Sequence, residues 1–211
     1  ETGRANILRA IRQNPALEYI RQEEKMYPVL GETDCGETIA LNTLMQRLVS
    51  AEGTSVFLLG SGGAGKTTAL MRAAYLQPAK YSGADPAVTY LSLYGYTGGT
   101  GAHIKDLILQ ELRFKPGTES IEMARHELVQ LLSYPMYTGK GERPKLVILL
   151  DGLNEIHGDA GELLQEIAEL SEMPGVRILL AGRSDVGEIP FPRIKLRRLE
   201  RSEVVRILGE N

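Results

Sequence analysis

The stretch SVFLLGSGGAGKTTAL, residues 55–70, decides how this chain is read. Ser55 to Leu59 is a short apolar run of β-forming residues, as expected of a buried strand. A glycine-rich loop follows, and then a segment predicted to be helical to about Leu76. Within it, Gly60 to Thr67 fits G-x-x-x-x-G-K-[ST] in full, between a strand and a helix as that pattern requires. Glycines allow the backbone to fold so that successive N–H groups point inward at phosphate oxygens. The helix that follows adds its free N–H groups and the positive end of its dipole. Gly60, Ser61, Gly62, Gly63, Ala64, Gly65, Lys66, Thr67 and Thr68 are therefore the expected phosphate-binding positions. Lys66 is placed to reach the β- and γ-phosphates, and the Thr67 hydroxyl to meet Mg²⁺. Gly60, Gly62 and Gly65 also fit G-x-G-x-x-G, but a dinucleotide site gives Lys66-Thr67 no role.

Working outward, Ala87 to Leu93, Leu146 to Leu150, Arg177 to Ala181 and Arg193 to Leu196 read as further strands. They are mostly continuous apolar runs, the mark of strands covered on both faces. Helical segments separate them: about 102–113, 119–133 and 162–170, with another from Glu203. The expectation is an α/β domain of the P-loop NTPase type. It has a central, mostly parallel, five-stranded sheet flanked by helices in three layers. Residues 1–34 are expected to form an N-terminal helical segment (over 4–26) and a linker, Tyr27 to Gly36, that runs into the core. Residues 35–211 form that core, opening with a helix from Thr38 to Ala51. The 137–145 stretch shows no pattern and reads as an exposed loop. Tyr94 to Gly101 reads as a flexible, glycine-rich tip.

The run LVILLDGLNEI, residues 146–156, ends a buried strand on Asp151 and places Glu155 four positions later. With a phosphate loop present, an acid at the carboxyl end of a strand has a use: Asp151 would hold Mg²⁺ opposite Thr67. Its strand is expected beside the glycine-loop strand. Glu155 would orient and deprotonate the attacking water. Plainer alternatives are a capping aspartate at 151 and a solvated carboxylate at 155.

Leu-Leu-Asp-Gly-Leu-Asn-Glu resembles the Walker B box of the NACHT-type signalling ATPases, a branch also called STAND. Gly152 and Glu155 fit that box, whereas Asn154 stands where the family has the first acid of a pair. RILLAGRSD, residues 177–185, is similar to the family's sensor 1 strand, with Arg183 as the arginine. IKLRRLERSEVVRIL resembles the family's strand-then-helix exit. The resemblance covers about residues 53–211 and implies several things. ATP or ADP with Mg²⁺ would be the ligand, and Arg183 would sense the γ-phosphate. Nucleotide state would govern self-oligomerisation of a longer cytoplasmic protein. Helical and winged-helix domains would follow the core, so the chain, which opens at Glu1 without methionine, is expected to be a piece. Tyr27-Pro28-Val29-Leu30 matches the family's adenine-pocket stretch by position only.

Two rivals stay open: a motor or loader ATPase of the wider AAA-like group, and a nucleotide-binding scaffold without turnover. A GTPase should carry N-K-x-D, and no such tetrapeptide occurs. A small-molecule kinase needs an arginine-rich lid, for which 137–145 is a poor match. A net charge of −3 supplies no global basic field for nucleic acid or anionic membrane. No apolar run approaches the roughly 20 residues of a membrane span. The single cysteine, Cys35, permits no internal disulfide, which fits a reducing compartment. His103, His126 and His157 show no metal-ligand spacing. Lys195, Arg197, Arg198 and Arg201 read as solvated positions with no interleaved aromatic residue for stacking on bases.

Overall fold

Strands that carry apolar side chains in both alternating directions need cover on two sides. In the computed structural model of the chain, helices on both faces of one sheet supply it. The structure describes residues 30–75, 85–112, 120–139, 141–156, 159–184, 189–198, 200 and 202. The expected helices over 4–26 and from Glu203, and the stretch Tyr27 to Val29, lie outside them.

The elements run β1 (Leu30–Thr33), β2 (Thr38–Ala40), α1 (Leu41–Leu48), β3 (Val56–Leu59), α2 (Lys66–Tyr75) and β4 (Ala87–Ser92). Then come α3 (Ile104–Glu111), α4 (Ile121–Leu132), β5 (Met136–Thr138), β6 (Gly141–Arg143) and β7 (Leu146–Asp151). α5 (Ala160–Ser171), β8 (Val176–Gly182) and β9 (Arg193–Leu196) follow. One sheet has the order β2-β1-β9-β3-β8-β7-β4. The five runs recognised in the sequence form its parallel part, from β9 to β4.

Seven strands rather than five make this sheet, because β1 and β2 extend the β9 edge antiparallel. They fall where a linker and the first turn of a helix were expected. Strands of three or four residues have too few alternations to reveal their period. The pairing brings β1 so close to β9 that a Cβ at Gly31 would clash with Ile194 Cγ2. The 137–145 stretch corrects in the same way, since β5 and β6 pair as a short separate hairpin. A third correction concerns order. β7 does not lie beside β3, because β8 is inserted between them.

Alternation along β7 divides the core. Val147 and Leu149 pack with Leu44 and Leu48 of α1 and Leu70 and Ala73 of α2. Leu146, Ile148 and Leu150 pack with Ile108, Leu128 and Ile167 of α3, α4 and α5 on the opposite face. Burying each such side chain contributes about 1.5–3 kcal/mol, so the strand's phase is firmly set. That phase directs Asp151, two residues past Leu149, to the α2 face. Helix α5 shows the local logic well: Asp159 caps it by accepting from Gly161 and Glu162 N–H, and Leu163, Ile167 and Leu170 form its buried stripe. Among the described residues, no helix is long and apolar enough to cross a membrane.

Candidate functional site

The carboxyl ends of β3, β8 and β7 are consecutive in the sheet, and each delivers one part of a single cleft. After β3, the loop Gly60 to Gly65 turns through Gly63 and Gly65 at φ +74° and +88°. No atom lies within 4 Å of a Cβ built at either position, so backbone conformation rather than space selects glycine there. Ala64 N–H closes the turn on Ser61 O at 3.1 Å, and Gly60 N–H ties the loop to Gly182 O at 3.2 Å. Helix α2 then starts at Lys66. The Lys66 ammonium donates to Gly60 O at 2.5 Å and Ser61 O at 3.0 Å. Burial, and then the Arg183 guanidinium, pull its pKa below the usual lysine value, while Asp151 and Glu155 oppose them.

β7 delivers Asp151, only 8 % exposed although it is a carboxylate. Both its oxygens are engaged. Tyr90 Oη of β4 donates to Oδ2 at 3.0 Å, and Gly152 N–H donates to Oδ1 at 3.0 Å. Burial and the adjacent carboxylate raise the Tyr90 phenol well above its ordinary pKa. Gly152, at φ +85°, reverses the chain into a single turn of 3₁₀ helix, Leu153–Glu155. Leu153 anchors that turn in the core, leaving Asn154 and Glu155 exposed.

β8 delivers Arg183. Its backbone N–H donates to Asn154 Oδ1 at 2.7 Å, and its guanidinium lies 3.5 Å from Glu155 Oε1. The two charged side chains are 58 % and 59 % exposed, so the ion pair is open to water. Asn154 thus stitches the end of β8 to the turn after β7.

Gly62 to Thr68, Asp151, Glu155 and Arg183 line one cleft of about 310 Å³. Gly60 and Ser61 lie instead on a neighbouring cleft, which Arg183 also borders, together with Asp34, Arg193 and Lys195. The contacts of three residues escaped the sequence reading. Those of Tyr90 and Asn154 do so because they depend on strand register and a turn. Arg198, read as solvated, donates through Nε and Nη2 to Ser61 Oγ at 3.2 and 2.6 Å. β9 neighbours β3, so the chain leaving β9 passes the loop.

The tip after β4, expected to be flexible, is packed in part against α5. Tyr96 is fully buried, and its hydroxyl donates to Glu166 at 3.0 Å. Gly99 N–H donates to both Glu162 oxygens. His103 Nδ1 lies 2.6 Å from Glu166 Oε1 and Nε2 lies 3.1 Å from Gly99 O. Both ring nitrogens face acceptors, so the imidazolium suits the site. The Glu166 bond accordingly raises the His103 pKa against the opposing effect of burial. The fold brings His103, Glu162 and Glu166 within 4.8 Å of one another, a grouping invisible in their spacing. His126 is exposed beside Gln130, and His157 and Arg201 lie outside the described residues.

Neither a protein-family model nor a curated protein sequence matches this chain.

Proposed function

We propose that the chain is the P-loop nucleotide-binding core of a NACHT-type switch that binds Mg·ATP and hydrolyses it slowly to ADP and phosphate. The observation that carries this reading is the convergence of Lys66, Thr67, Asp151, Glu155 and Arg183 from three strand ends onto one cleft. It opens at the carboxyl edge of a parallel sheet, where α/β folds take ligands.

Thr67 and Asp151 fit a hard dication, since a hydroxyl and a carboxylate supply oxygen donors on the same cleft. Mg²⁺, when bound, neutralises charge on the phosphates. The chain's own groups do the rest. Lys66 exchanges its bonds to loop carbonyls for bonds to phosphate oxygens. The loop N–H groups and the α2 N-terminus stabilise the same charge. Arg183 meets the γ-phosphate, and Asn154 fixes its backbone. Glu155, released from Arg183, takes the proton of the attacking water. Glu155 and Arg183 are both more than half exposed, which leaves room for a second subunit to complete the site. In a longer protein, nucleotide state would thereby govern self-association.

Binding without turnover is the second reading, favoured by the Glu155–Arg183 pair and by Asn154 in place of an acid. Calorimetric titration of wild type and Lys66→Ala with ATP and GTP tests the common core of both. ATP should bind in preference to GTP, and Lys66→Ala should weaken ATP by about tenfold or more. Equal affinities for the two proteins, or a clear GTP preference, would overturn the assignment.

A further inference from the structure

The hydroxyl of Tyr90 performs a task that no reading of the glycine loop or of Asp151 requires. Among the described residues, β4 is the last strand of the sheet and pairs in parallel with β7 alone. In the register of that pair, Tyr90 stands opposite Leu149 and Ser92 opposite Asp151. Tyr90 packs on the α2 face of the sheet with Val88 and Leu149, the face to which the phase of β7 directs Asp151. Tyr90 therefore lies one same-face step behind the aspartate, about 6.6 Å along the strand for two residues. An aromatic side chain leaning along the strand spans that step. Its hydroxyl lands 3.0 Å from Asp151 Oδ2.

The bond has a counterpart. Gly152 N–H reaches Oδ1 of the same carboxylate at 3.0 Å. One neutral donor on each oxygen fixes the plane of the carboxylate and leaves lone pairs on both oxygens for the cleft. A phenylalanine would fill the same apolar space, so packing alone does not call for tyrosine. Groups that orient a metal-holding carboxylate in this way govern how well it meets its ion.

We propose that Tyr90 is a positioning residue for the cation held by Asp151, and that its hydroxyl sets the Mg²⁺ dependence of nucleotide binding. The inference rests on the nucleotide-binding reading of the cleft.

The test uses the full chain as wild type, Tyr90→Phe, Asp151→Asn and the double variant. ATP affinity is measured in EDTA and then across a Mg²⁺ titration, with thermal melting alongside. Wild type should bind ATP more tightly as Mg²⁺ is added. Tyr90→Phe should keep the wild-type affinity in EDTA and need about tenfold more Mg²⁺ for half-effect. In the Asp151→Asn background, the same change should shift the Mg²⁺ requirement no further, since the hydroxyl acts through that carboxylate. A lower melting temperature with an unchanged Mg²⁺ requirement would make Tyr90 a packing residue and overturn the proposal alone. So would equal shifts in both backgrounds. Failure of wild type to bind ATP at all would overturn the nucleotide reading and this proposal with it.

Discussion

Replacing Glu155 with glutamine separates the two tasks that its position allows, structural and chemical. The structural task is small. Its partner Arg183 is 3.5 Å away, and both side chains are more than half exposed. Ion pairs of that kind contribute about 0.2–1 kcal/mol, and an amide retains part of the hydrogen bonding. For a domain of this size, that is a change in melting temperature of at most about 2–4 °C. The chemical task proposed for it is large. An amide keeps the shape of the side chain but takes no proton, and loss of a general base costs about 10²-fold or more. A hundredfold is about 2.7 kcal/mol of barrier, well above the structural effect. Single-turnover hydrolysis of Mg·ATP, with enzyme in excess and melting curves in parallel, reads both quantities. Glu155→Gln should bind Mg·ATP nearly as wild type does, melt nearly as it does, and turn over about a hundredfold more slowly. Turnover at the wild-type rate, in a preparation whose wild type is active, would refute the assignment of Glu155 as base. The base would then come from elsewhere.

Two further predictions concern the elements around the cleft. Gly152→Ala forces a side chain into φ +85°, which costs about 1–2 kcal/mol; thermal melting should fall by several degrees, and turnover should fall with it because Glu155 follows in the same turn. The His103 pKa is raised in the fold, so the stability it contributes is fully present below the ordinary value of 6.5 and is lost as pH rises through the raised value. His103→Gln should therefore melt a few degrees below wild type in mild acid and match it at alkaline pH. A difference independent of pH would mean that the imidazolium is not what ties down the Tyr96–His103 segment.

The parallel strands and the glycine-rich turn between β3 and α2 were legible in the sequence because their signals are local. Gly60 to Thr67 has a fixed spacing, and β3, β4, β7 and β8 each announce themselves by composition, with β9 (Arg-Ile-Lys-Leu) a weaker signal. Strand order is not local. Nothing near Asp151 or Gly60 says that β8 comes between their strands, and so nothing says that Arg183 emerges between them. Tyr90 reads as an ordinary β-former until the β4–β7 register places it behind Asp151. Asn154 reads as a substituted acid until the turn after Gly152 points it at the Arg183 backbone. The β1–β2 hairpin was missed for a different reason. Its strands are short, and they are held by contacts such as Gly31 against Ile194, over a hundred positions away in the chain.

The pairing of β3 with β8 and β9 also bears on how the chain is made. Ser55 Oγ accepts from Ile178 N–H across 123 positions, and β3 finds its other neighbour only at Arg193–Leu196. During synthesis, Val56-Phe57-Leu58-Leu59 leaves the ribosome long before either partner exists. At about 5–20 residues per second, the wait lasts on the order of 6–25 seconds. For that interval an apolar segment of high β-propensity has no native edge to join, the condition under which nascent chains associate wrongly. Slowing translation between β4 and β8 should therefore lower the soluble yield, whereas slowing it after β9 should not.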